Sequence, residues 1–172
     1  ERARKNVAKH INCTPGEIFF TSGGTEADNM AIRCAVKDLG VKHIVTSPIE
    51  HHAVGHTIDR LMTKGIVDVT YVHLDENGHV DLQHLDQILS TSSKTLVSLM
   101  HANNEVANLL PLNRVSEICQ KHGAVFHSDT VQTMAHYRFN MQELEHEPTS
   151  PLKTKAENDL KIKNAIICVC SL

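Results

Sequence analysis

The chain has few aromatic residues and no strong excess of either charge. Trp is absent, aromatic residues make up 3% of the 172 residues, and the formal net charge is −3. Because Lys and Arg form no dense run, we expect neither nucleic acid nor an anionic membrane as a partner. No apolar stretch approaches the roughly 20 residues of a membrane span, and no apolar segment typical of a signal peptide follows the charged N-terminus. The sequence therefore predicts a cytoplasmic protein.

Cysteine is also sparse and irregularly spaced. The chain has 5 cysteines, and an odd number at uneven spacing argues against a disulfide framework. A reducing cytoplasm is the simplest setting, and Cys168 and Cys170 are interpreted as ordinary thiols rather than a metal or redox pair. Histidine is frequent, with 13 residues, but most lie in different segments, so the count alone indicates no site.

Strand-like and helix-like segments alternate along most of the chain. Apolar or alternating runs predict strands at 17–21, 42–46, 67–74, 95–100 and 124–127. Between them, apolar residues at helical spacing predict helices at 26–39, 50–63, 81–89 and 112–121, with Asp81 as an N-terminal cap. Repeated strand–helix units imply an α/β fold of three layers, with a mainly parallel sheet and helices on both faces. Ligands bind such sheets beyond the carboxyl ends of the strands.

The segment Gly23-Gly24-Thr25 is the first candidate site. An apolar run enters it and a predicted helix leaves it, so its small residues let backbone amides approach an anion at a helix N-terminus. Gly24 and Thr25 therefore indicate a ligand that carries a phosphate. The alternative is that Thr25 only caps the helix, together with Asp28 three residues further on.

Two further clusters follow predicted strands. The imidazole of His51 can project over the sheet end and stack on a planar ring, and a plain helix-surface residue is the alternative. His52 and His56 have the i,i+4 spacing of a zinc pair, but no third ligand is evident, so no metal site is predicted. Asn104 lies after the strand at 95–100 and can reach a ligand hydroxyl; the alternative is that this loop only caps itself.

The last cluster lies in the segment 127–132. Asp129 places a carboxylate at the end of a buried strand, where it needs a cationic or hydrogen-bonding partner. It can pair with a protonated ring nitrogen, as pyridoxal-phosphate enzymes require. Gln132 is close enough in sequence to contact a neighbouring ring substituent. The alternative is a structural Asp129 that caps the next turn.

Taken together, the segments 20–29, 50–54, 100–106 and 127–132 resemble the aminotransferase class V family of pyridoxal-phosphate enzymes. The most similar members are the cysteine desulfurases, with selenocysteine lyase as a near relative. The four motifs occur in the family's order and spacing, which is a far more specific signal than any one of them. The resemblance implies the large domain of a fold-type I pyridoxal-phosphate enzyme, with 1–142 as an incomplete cofactor-binding core.

The resemblance also implies a role for each candidate residue. Gly24 and Thr25 would hold the phosphate of pyridoxal phosphate, and His51 would be the catalytic residue that stacks on its ring. Asp129 would pair with the ring nitrogen and keep it protonated. The contacts to the ring hydroxyl would come from Asn104 and Gln132.

The implied activity is the removal of sulfur from L-cysteine, which gives alanine and a persulfide for iron–sulfur cluster or thio-cofactor assembly. Selenocysteine and cysteine sulfinate stay open as substrates. Members of the family are homodimers, so the implied partners are a second copy and a sulfur-acceptor or scaffold protein.

The chain departs from the family in ways that predict impaired chemistry. The family's Schiff-base lysine lies in a Ser-x-His-Lys stretch, and no His-Lys pair occurs in this sequence. We therefore expect weak or no turnover, with an inactive dimer partner or a non-functional fragment as the alternative. Ala107 stands where the family commonly has Gly. Residues 143–172 match nothing recognised, so we expect a chain truncated at both ends with a disordered or artefactual tail.

Overall fold

The computed structural model describes residues 1–92, 94–134, 136–141, 159–161 and 165–168. The helices in these ranges are α1 (Arg2–His10), α2 (Gly24–Lys37), α3 (His52–Thr63), α4 (Leu82–Thr91) and α5 (Leu112–Lys121). The strands are β1 (His43–Thr46), β2 (Asp68–Tyr71), β3 (Thr95–Ser98), β4 (Val125–Asp129), β5 (Arg138–Asn140), β6 (Asp159–Lys161) and β7 (Ala165–Cys168). None of the helices in the described ranges has the length and apolar character needed to cross a membrane.

Five parallel strands form the central sheet, in the order β2-β1-β3-β4-β7. β1 lies between β2 and β3, with Val45 opposite Thr70 and Val97. β3 and β4 are neighbours, with Val97 opposite Phe126. β5 and β6 form a separate parallel pair. The predicted α/β fold with a mainly parallel sheet is confirmed, and β1, β3 and β4 occupy its centre.

The two faces of the sheet carry separate apolar cores, because successive side chains of a strand point to opposite faces. Val45, Val97 and Phe126 belong to one buried cluster, which also contains the apolar residues of α4 and α5. Ile44 and Leu96 belong to the other, which contains the apolar residues of α2 and α3. Helices therefore cover both faces, as predicted, and β1, β3 and β4 between them are almost entirely buried.

Most of the predicted elements are confirmed to within a few residues at each end. The helix predicted at 112–121 is α5, which has the same bounds. Asp81 caps α4 as predicted, since its Oδ1 accepts hydrogen bonds from the backbone N–H groups of Gln83 at 2.9 Å and His84 at 3.0 Å. Local sequence signals were therefore sufficient for most of the framework.

The strand predicted at 17–21 is wrong. Pro15–Glu17 is a short 3₁₀-helix, and the Glu17 carboxylate accepts a hydrogen bond from the backbone N–H of Thr14 at 2.7 Å. The residues that follow pair with no strand in the described ranges, and Phe19 and Phe20 are 70% and 54% exposed. An apolar run predicts burial only if an element covers it, and Phe20 instead lies beside the guanidinium of Arg4, 5.4 Å from the ring centroid.

The predicted tail, 143–172, lies mostly outside the described residues, including Pro148 and Pro151. The structure does describe the backbone of two short segments within it. One is β6, which pairs with β5, and the other is β7, which pairs in parallel with β4. The boundary placed at residue 142 stays a prediction.

Candidate functional site

The N-terminus of α2 presents backbone amides that no side chain caps. Gly23 is the N-cap residue, and Gly24 and Thr25 begin the helix. The alternative in which Thr25 caps the helix together with Asp28 is therefore wrong. The Glu26 carboxylate instead accepts hydrogen bonds from the backbone N–H and hydroxyl of Ser22, at 2.6 and 2.7 Å. This geometry leaves the first helical turn available to an anion.

His51 lies at the start of α3, directly after the turn that follows β1. Its Nδ1 accepts a hydrogen bond from the backbone N–H of Ala53 at 3.2 Å, so the ring caps the helix and its position is defined. The residue is exposed, and the rings of His52 and His56 stack with centroids 5.2 Å apart. Within the described residues, no group of three or more potential metal ligands occurs.

The loop after β3 is held in shape by Asn103. Its Oδ1 accepts hydrogen bonds from the backbone N–H groups of Glu105 at 2.7 Å and Val106 at 3.0 Å. Its Nδ2 donates to the carbonyl of Ile49 at 2.7 Å, in the turn that precedes His51. Asn103 is thus the capping residue of this loop, while the neighbouring Asn104 is exposed.

Ala107, in the same loop, has the left-handed backbone conformation, with φ of 57°. This geometry explains why a glycine suits the position, because a Cβ in this region costs about 1–2 kcal/mol. We expect Ala107→Gly to raise the free energy of unfolding by about 1 kcal/mol, measured by urea denaturation. Ala3→Gly, at an exposed position of α1, is the matched control and should lower it by about 0.5–1 kcal/mol. A loss of stability in Ala107→Gly would contradict the argument.

Asp129 ends β4 and is buried, with 7% of its surface exposed. Its Oδ1 accepts a hydrogen bond from the backbone N–H of Val131 at 2.9 Å, so one carboxylate oxygen does cap the next turn. Burial raises the pKa of Asp129, and the nearby Asp28 carboxylate raises it further, while His127 and His51 act in the opposite direction. The carboxylate therefore lies in a setting that favours a cationic partner.

A buried polar chain behind Asp129 was missed at the sequence level. Ser98 Oγ and His127 Nδ1 are 2.8 Å apart, and His127 Nε2 is 3.5 Å from Asp28 Oδ1. All three residues are at most 1% exposed. The sequence does contain a signal for a buried polar residue here. Asp28 lies on the same helix face as the apolar residues of α2 and interrupts that face; the apolar residues are Ala31, Ile32 and Ala35.

Glu50 belongs to the segment 50–54, and the sequence analysis predicts no role for it. Its carboxyl group is nevertheless part of this site. Oε1 accepts hydrogen bonds from Ser47 Oγ at 2.6 Å and from the backbone N–H of Met100 at 3.1 Å. Oε2 is shielded from solvent and has no hydrogen-bond partner among the described residues.

Gln132 is exposed and lines a cleft with a volume of about 360 Å³. The loop after β3 also lines this cleft. The residues that line the cleft are Ala102, Asn103, Ala107, Asn108, Leu109, Gln132, Thr133, His136 and Tyr137. The structure thus places Gln132 beside the loop that carries Asn104.

His51, Asn104, Asp129 and Gln132 follow or end strands β1, β3 and β4, whereas Gly24 and Thr25 begin α2 without a preceding strand in the described ranges. Asn29 joins the start of α2 to the start of α3, because its Nδ2 donates to the carbonyls of Thr25 at 2.8 Å and Ala53 at 3.4 Å. His51 lies close enough to Asp129, at the end of β4, to influence the pKa of that carboxyl group. The α2 N-terminus, the His51 ring and the Asp129 carboxylate therefore form one polar region, whose individual roles stay predictions.

Comparison with known proteins agrees with this architecture. Residues 1–147 match the family described as Aminotransferase class-V. The chain is 44% identical over 135 residues to the protein named putative cysteine desulfurase IscS 1 of Bacillus subtilis strain 168, and the match covers 77% of this chain and 35% of the relative.

Solved structures show the same likeness. A NifS-like protein superimposes with a TM-score of 0.76 at 38% identity, over 85% of this chain and 41% of the other. A structure of SspA in complex with cysteine gives a TM-score of 0.73 at 31% identity, over 81% of this chain and 40% of the other. The chain thus spans well under half the length of these proteins. The extent of the family match shows that the chain belongs to the aminotransferase class V family.

Proposed function

We propose that this chain is the pyridoxal-phosphate-binding part of a cysteine desulfurase. The observation that carries the proposal is the arrangement, at one sheet edge, of an uncapped helix N-terminus, an exposed imidazole and a buried carboxylate. These groups suit a phosphate, a planar ring and a basic ring nitrogen.

The residues present fit the cofactor on a second ground. Three buried side-chain oxygens near the strand ends have no hydrogen-bond partner within the described ranges: Thr46 Oγ1, Glu50 Oε2 and Ser128 Oγ. Buried polar atoms without partners are costly, and they are retained mainly where a site needs them. A polar, acidic site of this kind favours a ligand with a protonated nitrogen.

Each protein group has a defined task in this proposal. When bound, pyridoxal phosphate supplies an electron sink for cleaving bonds of an amino acid. The amides of Gly24 and Thr25 hold the phosphate, and His51 covers the ring face and excludes water. Asp129 holds the proton on the ring nitrogen. The amide side chains of Asn104 and Gln132 contact the ring hydroxyl.

The proposed substrate is L-cysteine, with selenocysteine and cysteine sulfinate as open alternatives. The names of the matching proteins support it, since one relative is named putative cysteine desulfurase IscS 1 and one structure is named in complex with cysteine. A second copy and a sulfur-acceptor or scaffold protein for iron–sulfur assembly are the proposed partners, in the cytoplasm. Because the sequence has no His-Lys pair, an inactive dimer partner is the second candidate.

Binding of pyridoxal phosphate to the purified chain tests the proposal. We expect it to bind roughly tenfold more tightly than pyridoxal, which lacks the phosphate, because a charge-assisted hydrogen bond contributes about 1.5–3 kcal/mol. Titration followed by the absorbance of the added compound measures both affinities. Equal affinities, or none, would contradict the proposed site. Alanine release from L-cysteine separates the candidates, and the inactive partner should release none.

A further inference from the structure

Glu50 links two segments that carry proposed site residues. It lies in the turn 47–51, which ends at His51, and its Oε1 accepts a hydrogen bond from Ser47 Oγ within that turn. The same Oε1 accepts the backbone N–H of Met100, at the start of the loop that carries Asn104. Asn103 Nδ2, donating to the carbonyl of Ile49, is the second hydrogen bond between these two segments.

No role in holding the cofactor explains this carboxyl group. The cofactor contacts proposed above use other residues, and the second oxygen of Glu50 is buried without a partner among the described residues. No ion pair to Glu50 is present in the part of the chain that the structure describes. A buried carboxyl group in this setting is costly unless it has a structural task.

We propose that Glu50 is a positioning residue, whose carboxyl group fastens the turn ending at His51 to the loop carrying Asn104. This inference rests on the proposed function, because it concerns the placement of two residues of the same site. Without Glu50, the backbone N–H of Met100 loses its acceptor, and the hydrogen bond from Asn103 to Ile49 is left to join the turn and the loop. The separation of the His51 ring and the Asn104 amide is then less tightly fixed.

The groups around Glu50 indicate that it performs this task as a neutral carboxylic acid. Asp28 of α2 and Asp129 of β4 face it, and burial, together with these two carboxylates, raises the pKa of Glu50 to about 8. The titratable groups of opposite sign nearby are His51, next in the chain, His127 behind Asp129, and His79, which lines the same small cavity.

The sign of the resulting pH dependence follows from this arrangement. The folded-state pKa of Glu50 lies above its ordinary value of 4.5, so its neutral form favours the folded chain at low pH. Stability is lost as the pH rises from about 4.5 to about 8 and is constant above that. A glutamine at this position keeps the acceptor oxygen and cannot ionise.

The experiment compares the full chain with Glu50→Gln, Glu50→Ala and the exposed control Glu76→Ala. At about pH 6.5, we expect Glu50→Ala to weaken pyridoxal-phosphate binding roughly tenfold, and Glu50→Gln and the control to bind within about threefold of the unchanged chain. Between about pH 6.5 and pH 9, the affinity of the unchanged chain should fall relative to the affinity of Glu50→Gln. Taking the ratio of the two affinities at each pH removes the contribution from titration of the cofactor itself, which is the same for both proteins.

Two measurements on the ligand-free chain keep this test separate from the proposed function. Amide hydrogen exchange at Met100 should accelerate in Glu50→Ala and not in Glu50→Gln, and thermal unfolding should show Glu50→Gln gaining stability over the unchanged chain as the pH rises. If the unchanged chain fails to bind pyridoxal phosphate, the proposed function fails while these readouts still test Glu50. Unchanged exchange at Met100 in Glu50→Ala, or equal defects in both variants, would overturn the positioning role.

Discussion

Asp129→Asn is expected to weaken the binding of pyridoxal phosphate about tenfold to a hundredfold while stabilising the ligand-free chain. Asparagine retains an Oδ1 that can accept the backbone N–H of Val131, so the turn is preserved. In the proposed binding mode, the substitution removes the negative charge that pairs with the ring nitrogen, and a hydrogen bond to a charged group contributes about 1.5–3 kcal/mol. Each 1.4 kcal/mol is a tenfold change in affinity.

The gain in stability has the same origin as the loss of binding. Burial and the nearby Asp28 carboxylate raise the pKa of Asp129, so its charged form is disfavoured in the folded chain. Stability from this group is present at low pH and is lost as the pH rises through its raised pKa. At about pH 8, we therefore expect Asp129→Asn to raise the free energy of unfolding, because the substitution removes a buried group whose charged form is disfavoured.

Urea denaturation and cofactor titration on the same preparations check both effects. Asp59→Asn, on the exposed side of α3, is the matched control and should change neither quantity appreciably. If Asp129→Asn bound the cofactor as tightly as the unchanged chain, Asp129 would be only a turn cap. If both stability and affinity fell, loss of folding rather than loss of charge would explain the binding defect.

The acidic character of the site connects its separate observations. Asp28, Glu50 and Asp129 come from a helix, a turn and a strand and meet near the strand ends, where Glu50 is held as a neutral acid beside the carboxylates of Asp28 and Asp129. Their mutual repulsion decreases the stability of the ligand-free chain, and a ligand with a positive ring nitrogen would relieve it. Such a conflict between local stability and the site is expected where binding, rather than folding, has determined the residues.

Much of the fold could be predicted from local patterns, and the reasons are specific. The run 95–100 is apolar on both faces because β3 lies at the centre of a parallel sheet, and Asp81 is visible as a cap before a periodic segment. The apolar run at Phe19 and Phe20 led to the wrong prediction of a strand at 17–21. Strand formation depends on a neighbouring strand, which the sequence alone does not identify.

The residues of the candidate site could likewise be predicted only in part from the sequence. Asp129 is recognisable because its carboxylate ends a buried strand, and Gly24 because two glycines immediately precede a periodic helical segment. Glu50 and Asp28 could not be assigned a role, because their importance depends on contacts made between segments far apart in the chain: Met100 is 50 residues from Glu50. Burial of a charge is a tertiary property, and only the interruption of the apolar face of α2 indicated it beforehand.

A second large effect is expected at acid pH, and it originates at His101. This residue follows β3, is 1% exposed, and its Nδ1 lies 2.7 Å from Thr133 Oγ1. Its backbone N–H donates to the carbonyl of Asp129 at 2.9 Å, and its carbonyl accepts from Leu110 at 2.7 Å. His101 therefore joins the end of β4, the turn after it and the loop that carries the proposed ring-hydroxyl contact.

Burial lowers the pKa of His101 from 6.5 to about 4, because the charged imidazolium is poorly solvated there. The unfolded chain binds a proton near pH 6.5 and the folded chain only near pH 4, so stability from this group is complete above about pH 6.5. It is lost as the pH falls from about 6.5 to about 4, by roughly 3 kcal/mol in all, at 1.36 kcal/mol for each pKa unit. Glu50 and Asp129 titrate with the opposite sign, so the effect must be measured against a variant at each pH.

His101→Asn provides that comparison, since asparagine keeps a polar atom near the position of Nδ1 and does not titrate in this range. We expect this variant to be less stable than the unchanged chain at about pH 7, because its side chain loses ring contacts with Tyr137 and Phe139. Between about pH 7 and pH 4, its disadvantage should shrink by roughly 3 kcal/mol, measured by urea denaturation at each pH. His10→Asn, on the exposed surface of α1, is the control and should leave the pH dependence unchanged. A constant difference between His101→Asn and the unchanged chain across this range would show that His101 has the same pKa in the folded and unfolded chains, and that it does not cause loss of stability at acid pH.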